Sequence, residues 1–380
     1  MALSDKAPPI VGVIGGGQLA RMMAAPAGAL GINLRLLAEN ASECAVQVIP
    51  DVVIGDFRHY ETLREFVASC DVVTFDHEHV PNALLRRLVS EGMESKIHPG
   101  PEALQYAQEK VKMRELIAPE LSPRWRKISN IEEAVDFGFP CIAKSLLGGY
   151  DGKGVWRVEN KEALTELLKA GGLLLEEIVP FDVEISVLVA RSPHGQAAVW
   201  AVTETIQENG ICVQTVTPAP KISEELAGKA QSIALTIAEQ TDVVGVMAVE
   251  MFLVGERLLV NELAMRPHNS GHWSIEGAIT SQFEQHLRAV LDLPLGATEM
   301  SADRAVMGNI LGGDNPDLHR ALLHLMARDS GLKIHLYGKE VKPGRKVGHV
   351  TALGVDVQRL SARTLHATEF FAGRAGEHDE

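Results

Sequence analysis

Val246-Met-Ala-Val-Glu-Met-Phe-Leu-Val254, Gly255-Glu-Arg257 and Leu258-Leu-Val-Asn-Glu262 follow one another without a break. Two apolar, β-branched runs around a short Gly-containing turn predict a β-hairpin. With Val254 paired to Leu258 across a three-residue loop, antiparallel register sets Glu250 opposite Glu262. Carboxylates placed so, with Cα atoms roughly 4.5 to 5.5 Å apart, repel unless a positive charge lies between them. Mg²⁺, which takes oxygen ligands and bridges to nucleotide phosphates, suits such a pair. The structural alternative is a solvated edge with diverging side chains, which the flanking apolar residues disfavour.

Upstream, Pro140-Cys-Ile-Ala-Lys144 reads as a strand, Gly148-Gly-Tyr-Asp-Gly-Lys-Gly154 as a glycine-rich loop and Val155-Trp-Arg-Val158 as the returning strand. Glycines let a loop fold over phosphates, and Lys144 and Lys153 supply positive charge. A Walker A loop would end in Lys-Ser/Thr and open a helix; here a strand follows, and an ordinary hairpin is the alternative. Glu176-Glu-Ile-Val179 ends another apolar strand, where backbone groups can read an adenine edge, and Glu184 can hold ribose hydroxyls; plain surface acids are the alternative. Downstream, Arg266-Pro-His268-Asn-Ser-Gly-His272-Trp273 is polar without helical or strand period, as an anion or substrate site would be. Lys342-Pro-Gly-Arg345-Lys346-Val-Gly-His349 gathers basic charge, with a basic surface turn as its plain reading.

At the N-terminus, Ile10-Val-Gly-Val-Ile14 runs into Gly15-Gly-Gly17, a helical pattern from Gln18 to Leu30 and a second strand, Leu34 to Ala38. Val52 to Ile54, a helix over Tyr60 to Ala68, Val72 to Phe75 and a helix over Pro81 to Glu91 continue the alternation, which predicts a parallel sheet covered by helices. Gly15-x-Gly17-x-x-Ala20, with Glu39 about 20 residues on, fits a dinucleotide site, another phosphorylated ligand, or merely a tight strand-to-helix turn. Long helices are expected over Glu102 to Leu116, Glu224 to Thr241 and Ile275 to Leu291.

The predicted fold is thus mixed α/β and α+β: an N-terminal parallel-sheet domain over 1–101, a region of shorter strands and hairpins over 102–300 and a small β-rich closing domain over 301–366. A tail, 367–380, has little to bury. With 380 residues, 46% of them hydrophobic, the chain can bury a substantial core. Its net charge of −14 disfavours nucleic acid or an anionic membrane as main partner, while leaving room for a local basic pocket. Four widely spaced cysteines give no zinc pattern or disulfide framework. No apolar run approaches the ~20 residues of a membrane helix, so a cytoplasmic protein is expected.

Lys144, the glycine-rich loop, Glu184 and the pair Glu250 and Glu262, in this order, resemble the ATP-grasp superfamily. The stretches Gly15 to Arg21, Gly148 to Gly154, Asn261 to Trp273 and Pro343 to His349 are similar to the N5-carboxyaminoimidazole ribonucleotide synthetase family in particular. That resemblance, from Gly12 to about Thr351, implies two subdomains closing over ATP, preceded by a Rossmann-like pre-ATP-grasp domain. It implies ATP contacts at Lys110, Lys144, Gly149, Tyr150, Asp151, Gly152, Lys153, Gly154, Val155, Glu176, Glu177, Ile178, Val179, Glu184, Asn261 and Glu262, with Glu250 and Glu262 on Mg²⁺. For the ribonucleotide it implies Gly16, Gly17, Gln18, Leu19, Glu78, Tyr150, Asp151, Arg266, His268, Asn269, Ser270, His272, Lys339, Arg345 and Lys346. The activity implied is ATP-dependent carboxylation of 5-aminoimidazole ribonucleotide by bicarbonate through carboxyphosphate, in a homodimer, with Lys144, Arg266 and His272 as catalytic candidates. The chain departs from the family in Gln207, where relatives tend to carry His, and in Asp76-His-Glu-His79, of which Glu78 alone transfers. A formate-dependent ATP-grasp ligase, a nicotinamide oxidoreductase and a silent nucleotide-binding module are the competing readings.

Overall fold

The computed structural model describes residues 7–148 and 152–374. Four parallel strands form the N-terminal sheet, in the order Asp51–Ile54, Asn33–Ala38, Ile10–Ile14, Val72–Phe75. Helix Gln18–Leu30 packs its Leu19, Ala20, Met23 and Ala27 against this sheet and stops at Gly31, whose φ of 66° favours a residue without Cβ. Helix Gln282–Val290, far along the chain, buries Phe283, Leu287 and Val290 in the same apolar cluster. His286 on that helix meets Thr74 Oγ1 at 2.7 Å through Nε2 and accepts from Val246 N at 3.0 Å through Nδ1. One imidazole thus ties the N-terminal sheet to the strand that carries Glu250.

A small antiparallel sheet has the order Trp125–Ile128, Leu173–Glu177, Cys141–Ser145, Val155–Val158. The large sheet runs Arg257–Ala264, Gly245–Val254, Val183–Arg191, Thr203–Glu208, Ile211–Thr217, Arg304–Leu311, Lys346–Gly354, Lys333–Leu336, with Ala197–Val199 on the third strand. Because Ile211–Thr217 pairs with Arg304–Leu311, the sheet passes without interruption across the boundary expected at residue 300.

Several expected elements are divided. The helix expected over 102–116 breaks at Glu109, whose extended backbone (φ −116°, ψ 99°) bridges to Leu147, so Pro101–Gln108 and Lys110–Leu116 are separate. The helix expected over 275–291 is two, Ser274–Gly277 and Gln282–Val290, because Ala278 leaves to pair with Met300. In the closing domain two helices, Leu318–Arg328 and Val357–Ala372, lie with the strands. The second runs past the tail expected from residue 367, since Ala367 and Phe371 are buried against the strands; it ends at Gly373, again in the left-handed region.

Candidate active site

The hairpin Gly245–Val254 and Arg257–Ala264 sets Glu250 opposite Glu262, by a route the sequence does not announce. The turn is Gly255-Glu256, with Val254 paired to Arg257, so the outer hairpin is one residue out of the expected register. A bulge beside Glu250 inserts Asn261, and the two acids come back into opposition. On the neighbouring strand Glu184 lies opposite Phe252 and Ser186 opposite Glu250, so Glu184, Glu250 and Glu262 share one face. Burial pushes the Glu250 carboxyl up to about 8, with repulsion from Glu262 and Glu184 adding to it; burial likewise takes Glu184 to about 7 against the pull of Lys144. Glu250 is 24% exposed and reaches His268 Nε2 at 3.5 Å. Among the described residues no three or more His, Cys, Asp or Glu side chains are arranged to hold a metal unaided. The Glu250–Glu262 pair suits Mg²⁺ in the way that ion is commonly held, by one or two carboxylates plus phosphate oxygens.

Across the cleft, Lys144 Nζ lies 2.8 Å from Glu176 Oε2 and donates to Asn261 Oδ1 at 3.1 Å. Both Lys144 and Glu176 are buried. Burial alone would raise the Glu176 carboxyl, but Lys144 and Arg114 hold it down at about 2. The Glu176 side chain, expected to meet ATP, is therefore engaged on both oxygens by the protein. Glu177 caps the other way, accepting from Arg124 N at 2.8 Å, and Ile178 and Val179 are half-buried in the link to the next strand. Lys110 donates to the Gly148 carbonyl, and burial lowers its ammonium from the usual range. Gly149, Tyr150 and Asp151 lie outside the described residues. Beyond them, the Gly154 carbonyl accepts from Ser145 N at 2.9 Å, and Val155 begins a strand paired to Lys144. Lys153, between them, is exposed. Gly152 packs on Gly210, the turn of the Thr203–Glu208 and Ile211–Thr217 hairpin: a Cβ on Gly152 would sit 3.4 Å from Gly210 Cα. Gln207 lies on this hairpin opposite Cys212, beside a bulge.

The polar run after the hairpin forms the cleft's other wall. Arg266 Nε lies 3.2 Å from Glu78 Oε2, and Glu78 Oε1 accepts from Met265 N at 2.8 Å, so an N-terminal acid orients the arginine. His268 Nδ1 meets Ser270 Oγ at 2.9 Å, which meets Ser186 Oγ at 2.7 Å. Both polar atoms of the Asn269 side chain are buried, and the amide lies beside the Cys212 thiol. His272 is fully buried against Phe283, Tyr337 and His349, with Nδ1 at 3.0 Å from Gln282 Nε2. Burial holds its imidazole well below the usual range. Gln282 also accepts from His268 N and donates to His268 O, both at 2.8 Å.

The glycine loop at the N-terminus is preoccupied. Asp76 accepts from Gly17 N at 2.9 Å and Ala20 N at 2.8 Å, and Glu43 from Gly16 N at 2.6 Å. A pyrophosphate would need these amides, and Glu39 is paired to Arg58. The dinucleotide reading therefore loses its geometry. Gln18 Oε1 accepts from Lys339 Nζ, whereas Leu19, also expected at the ribonucleotide, is buried in the apolar cluster against the sheet. Arg345 is exposed and donates to Glu340 O at 3.3 Å, while Lys346 is half-buried, near enough to Glu250 and His268 to act on both charges. Sequence reasoning missed Arg114, Asp76, Glu43 and Gln282: each acts through distant residues, and no local pattern marks them.

Known proteins match this arrangement along nearly its whole length. The ribonucleotide synthetase preATP-grasp domain matches residues 9–108, the ATP-grasp domain 114–283 and the phosphoribosylaminoimidazole carboxylase C-terminal domain 305–363. The N5-carboxyaminoimidazole ribonucleotide synthase of Mycobacterium tuberculosis is 47% identical over 379 residues, covering 96% of this chain and 88% of the relative. That of Corynebacterium ammoniagenes is 44% identical, covering 97% and 93%. Among solved structures, the N5-carboxyaminoimidazole ribonucleotide synthetase of Thermus thermophilus superposes with a TM-score of 0.84 at 38% identity, over 96% of this chain and 99% of that one. The Aspergillus clavatus synthase, in complex with ADP and 5-aminoimidazole ribonucleotide, gives 0.85 at 32%, over 97% and 99%. The chain belongs to the N5-carboxyaminoimidazole ribonucleotide synthase family.

Proposed function

We propose that the chain is an ATP-dependent carbon–nitrogen ligase of purine biosynthesis that carboxylates 5-aminoimidazole ribonucleotide with bicarbonate, yielding N5-carboxyaminoimidazole ribonucleotide, ADP and phosphate. The observation that carries this reading is Lys144, bonded to the Asn261 side chain, beside the opposed Glu250 and Glu262, with His268 of the Arg266 to His272 loop 3.5 Å from Glu250. A bicarbonate oxygen attacks the γ-phosphorus, the bond to ADP breaks, and carboxyphosphate forms. The exocyclic amine then takes the carboxyl carbon, phosphate leaves, and the amine proton is released. Lys144 and Lys110 neutralise the triphosphate, Asn261 fixes Lys144, and the strand end Glu176 to Val179 offers its backbone to adenine. Glu250 and Glu262 would hold Mg²⁺, which when bound offsets phosphate charge during transfer. Arg266, aimed by Glu78, stabilises the transferred carboxyl or phosphoryl oxygens; His272 and Gln282 hold the loop that carries His268, Asn269 and Ser270. Gln18, Lys339, Arg345 and Lys346 receive the ribonucleotide phosphate. A homodimer in the cytoplasm completes the reading, with four free, buried cysteines suiting a reducing compartment.

The test is ADP release by the purified protein with MgATP and bicarbonate, with and without the aminoimidazole ribonucleotide. Release that requires bicarbonate and rises with ribonucleotide is expected; release driven by formate instead would transfer the chain to the competing ligase class. Arg266→Ala is expected to lower kcat by about a hundredfold or more, and a change within about twofold would remove Arg266 from the transition state.

A further inference from the structure

Arg114, at the end of helix Lys110–Leu116, is 1% exposed yet carries a full positive charge. Its Nε donates to Glu176 Oε1 at 2.6 Å, Nη1 to Val260 O at 2.6 Å and Nη2 to Asn261 O at 2.9 Å. Val260 and Asn261 are the strand residues at the bulge. The contacts close a ring: Arg114 to Glu176, Glu176 to Lys144, Lys144 to the Asn261 side chain, and the Asn261 carbonyl back to Arg114. Small sheet, large sheet and linking helix are joined at the place where Lys144 enters the cleft.

The charge count gives the ring its meaning. Lys144 with Glu176 alone would sum to zero, a neutral pair with little attraction left for a triphosphate. With Arg114 sharing the same carboxylate, the trio carries a net +1 in a buried setting, where charge is screened least. We infer that Arg114 is a positioning residue for ATP: it takes up half of Glu176, so that the charge of Lys144 remains available to the nucleotide, and it pins the bulge that aims Asn261. This rests on the reading of Lys144 as a phosphate contact.

Arg114→Met is expected to raise the KM for ATP about ten- to hundredfold, with the KM for the ribonucleotide unchanged. Arg114→Met/Glu176→Gln restores the net +1, and most of the loss in ATP KM is expected to return. A merely structural arginine gives the opposite order, because the double variant removes a second buried partner. If the double variant binds ATP no better than the single one, the inference is overturned. Arg114→Gln, which keeps a donor and loses the charge, makes the same comparison should the Met variant not fold, and an unchanged ATP KM there also overturns it. Lys144→Met separates the two readings. An unchanged ATP KM in that variant sinks the role of Lys144 itself, whereas a raised one beside an unaffected Arg114→Met sinks only that of Arg114.

Discussion

Two sets of carboxylates face one cleft and are treated in opposite ways. Glu176 on the small sheet is enclosed by Arg114 and Lys144 and held ionised, down to about 2. Glu250 on the large sheet is pushed up to about 8, with Glu262 and Glu184 as neighbours and cations only at a distance. Burial acts on both in the same direction; what differs is whether the fold supplies the counter-charge. Glu176 is complete within the chain and works as structure. The large-sheet acids remain under mutual repulsion, the state of a site that becomes favourable when a cation arrives.

That contrast is broken most severely by Glu250→Gln. ADP release is expected to fall by more than about a hundredfold, beyond what loss of an outer partner to a metal ligand costs. The unfolding temperature of the same variant, measured without nucleotide or metal at a pH above about 8 where Glu250 is ionised, is expected to rise, because a repelling charge is gone. A fall in both would show that Glu250 already has its partner in the fold. Glu176→Gln is the mirror case: about 3 kcal/mol of unfolding free energy is expected to be lost, since Arg114 is left buried without its carboxylate, as denaturant titration would read.

The smallest effect is in protons. Glu184 at about 7 and Glu250 at about 8 are partly protonated at neutral pH, so binding of a magnesium nucleotide is expected to expel protons. Calorimetry at pH 7 in two buffers of different ionisation heat measures this, and no difference between buffers would refute the charge state. Stability carries the matching sign: an acid whose folded value is raised stabilises the fold at low pH and loses that contribution as pH climbs through about 7 to 8. Glu176, held low, behaves conversely, its contribution vanishing only as pH drops toward about 2.

Much of this was readable from the chain because the decisive signals are local. Alternating apolar runs, glycine punctuation and the segment from Arg266 to Trp273 depend on neighbours in sequence, and they indicated the parallel sheet, the hairpin acids and a polar loop beside them. What escaped depends on distant partners. Nothing around Asp76 says that it will cap the helix beginning at Gln18, and nothing in Lys110 to Leu116 distinguishes Arg114 from a surface arginine. The apolar periodicity over 275–291 hid a break made by pairing with Met300. The opposition of Glu250 and Glu262 was reached through a wrong turn length that the bulge then cancelled.

The extra residue in that strand has a consequence for how densely polar groups can be supplied. A regular strand lends a cavity every second side chain and sends the intervening one to the far side. Here two consecutive letters, Asn261 and Glu262, serve the same chamber, one steadying the lysine and the other confronting Glu250. Excising a single residue there would leave the hairpin intact and its length nearly unchanged, yet the chamber would have to choose between its amide and its acid.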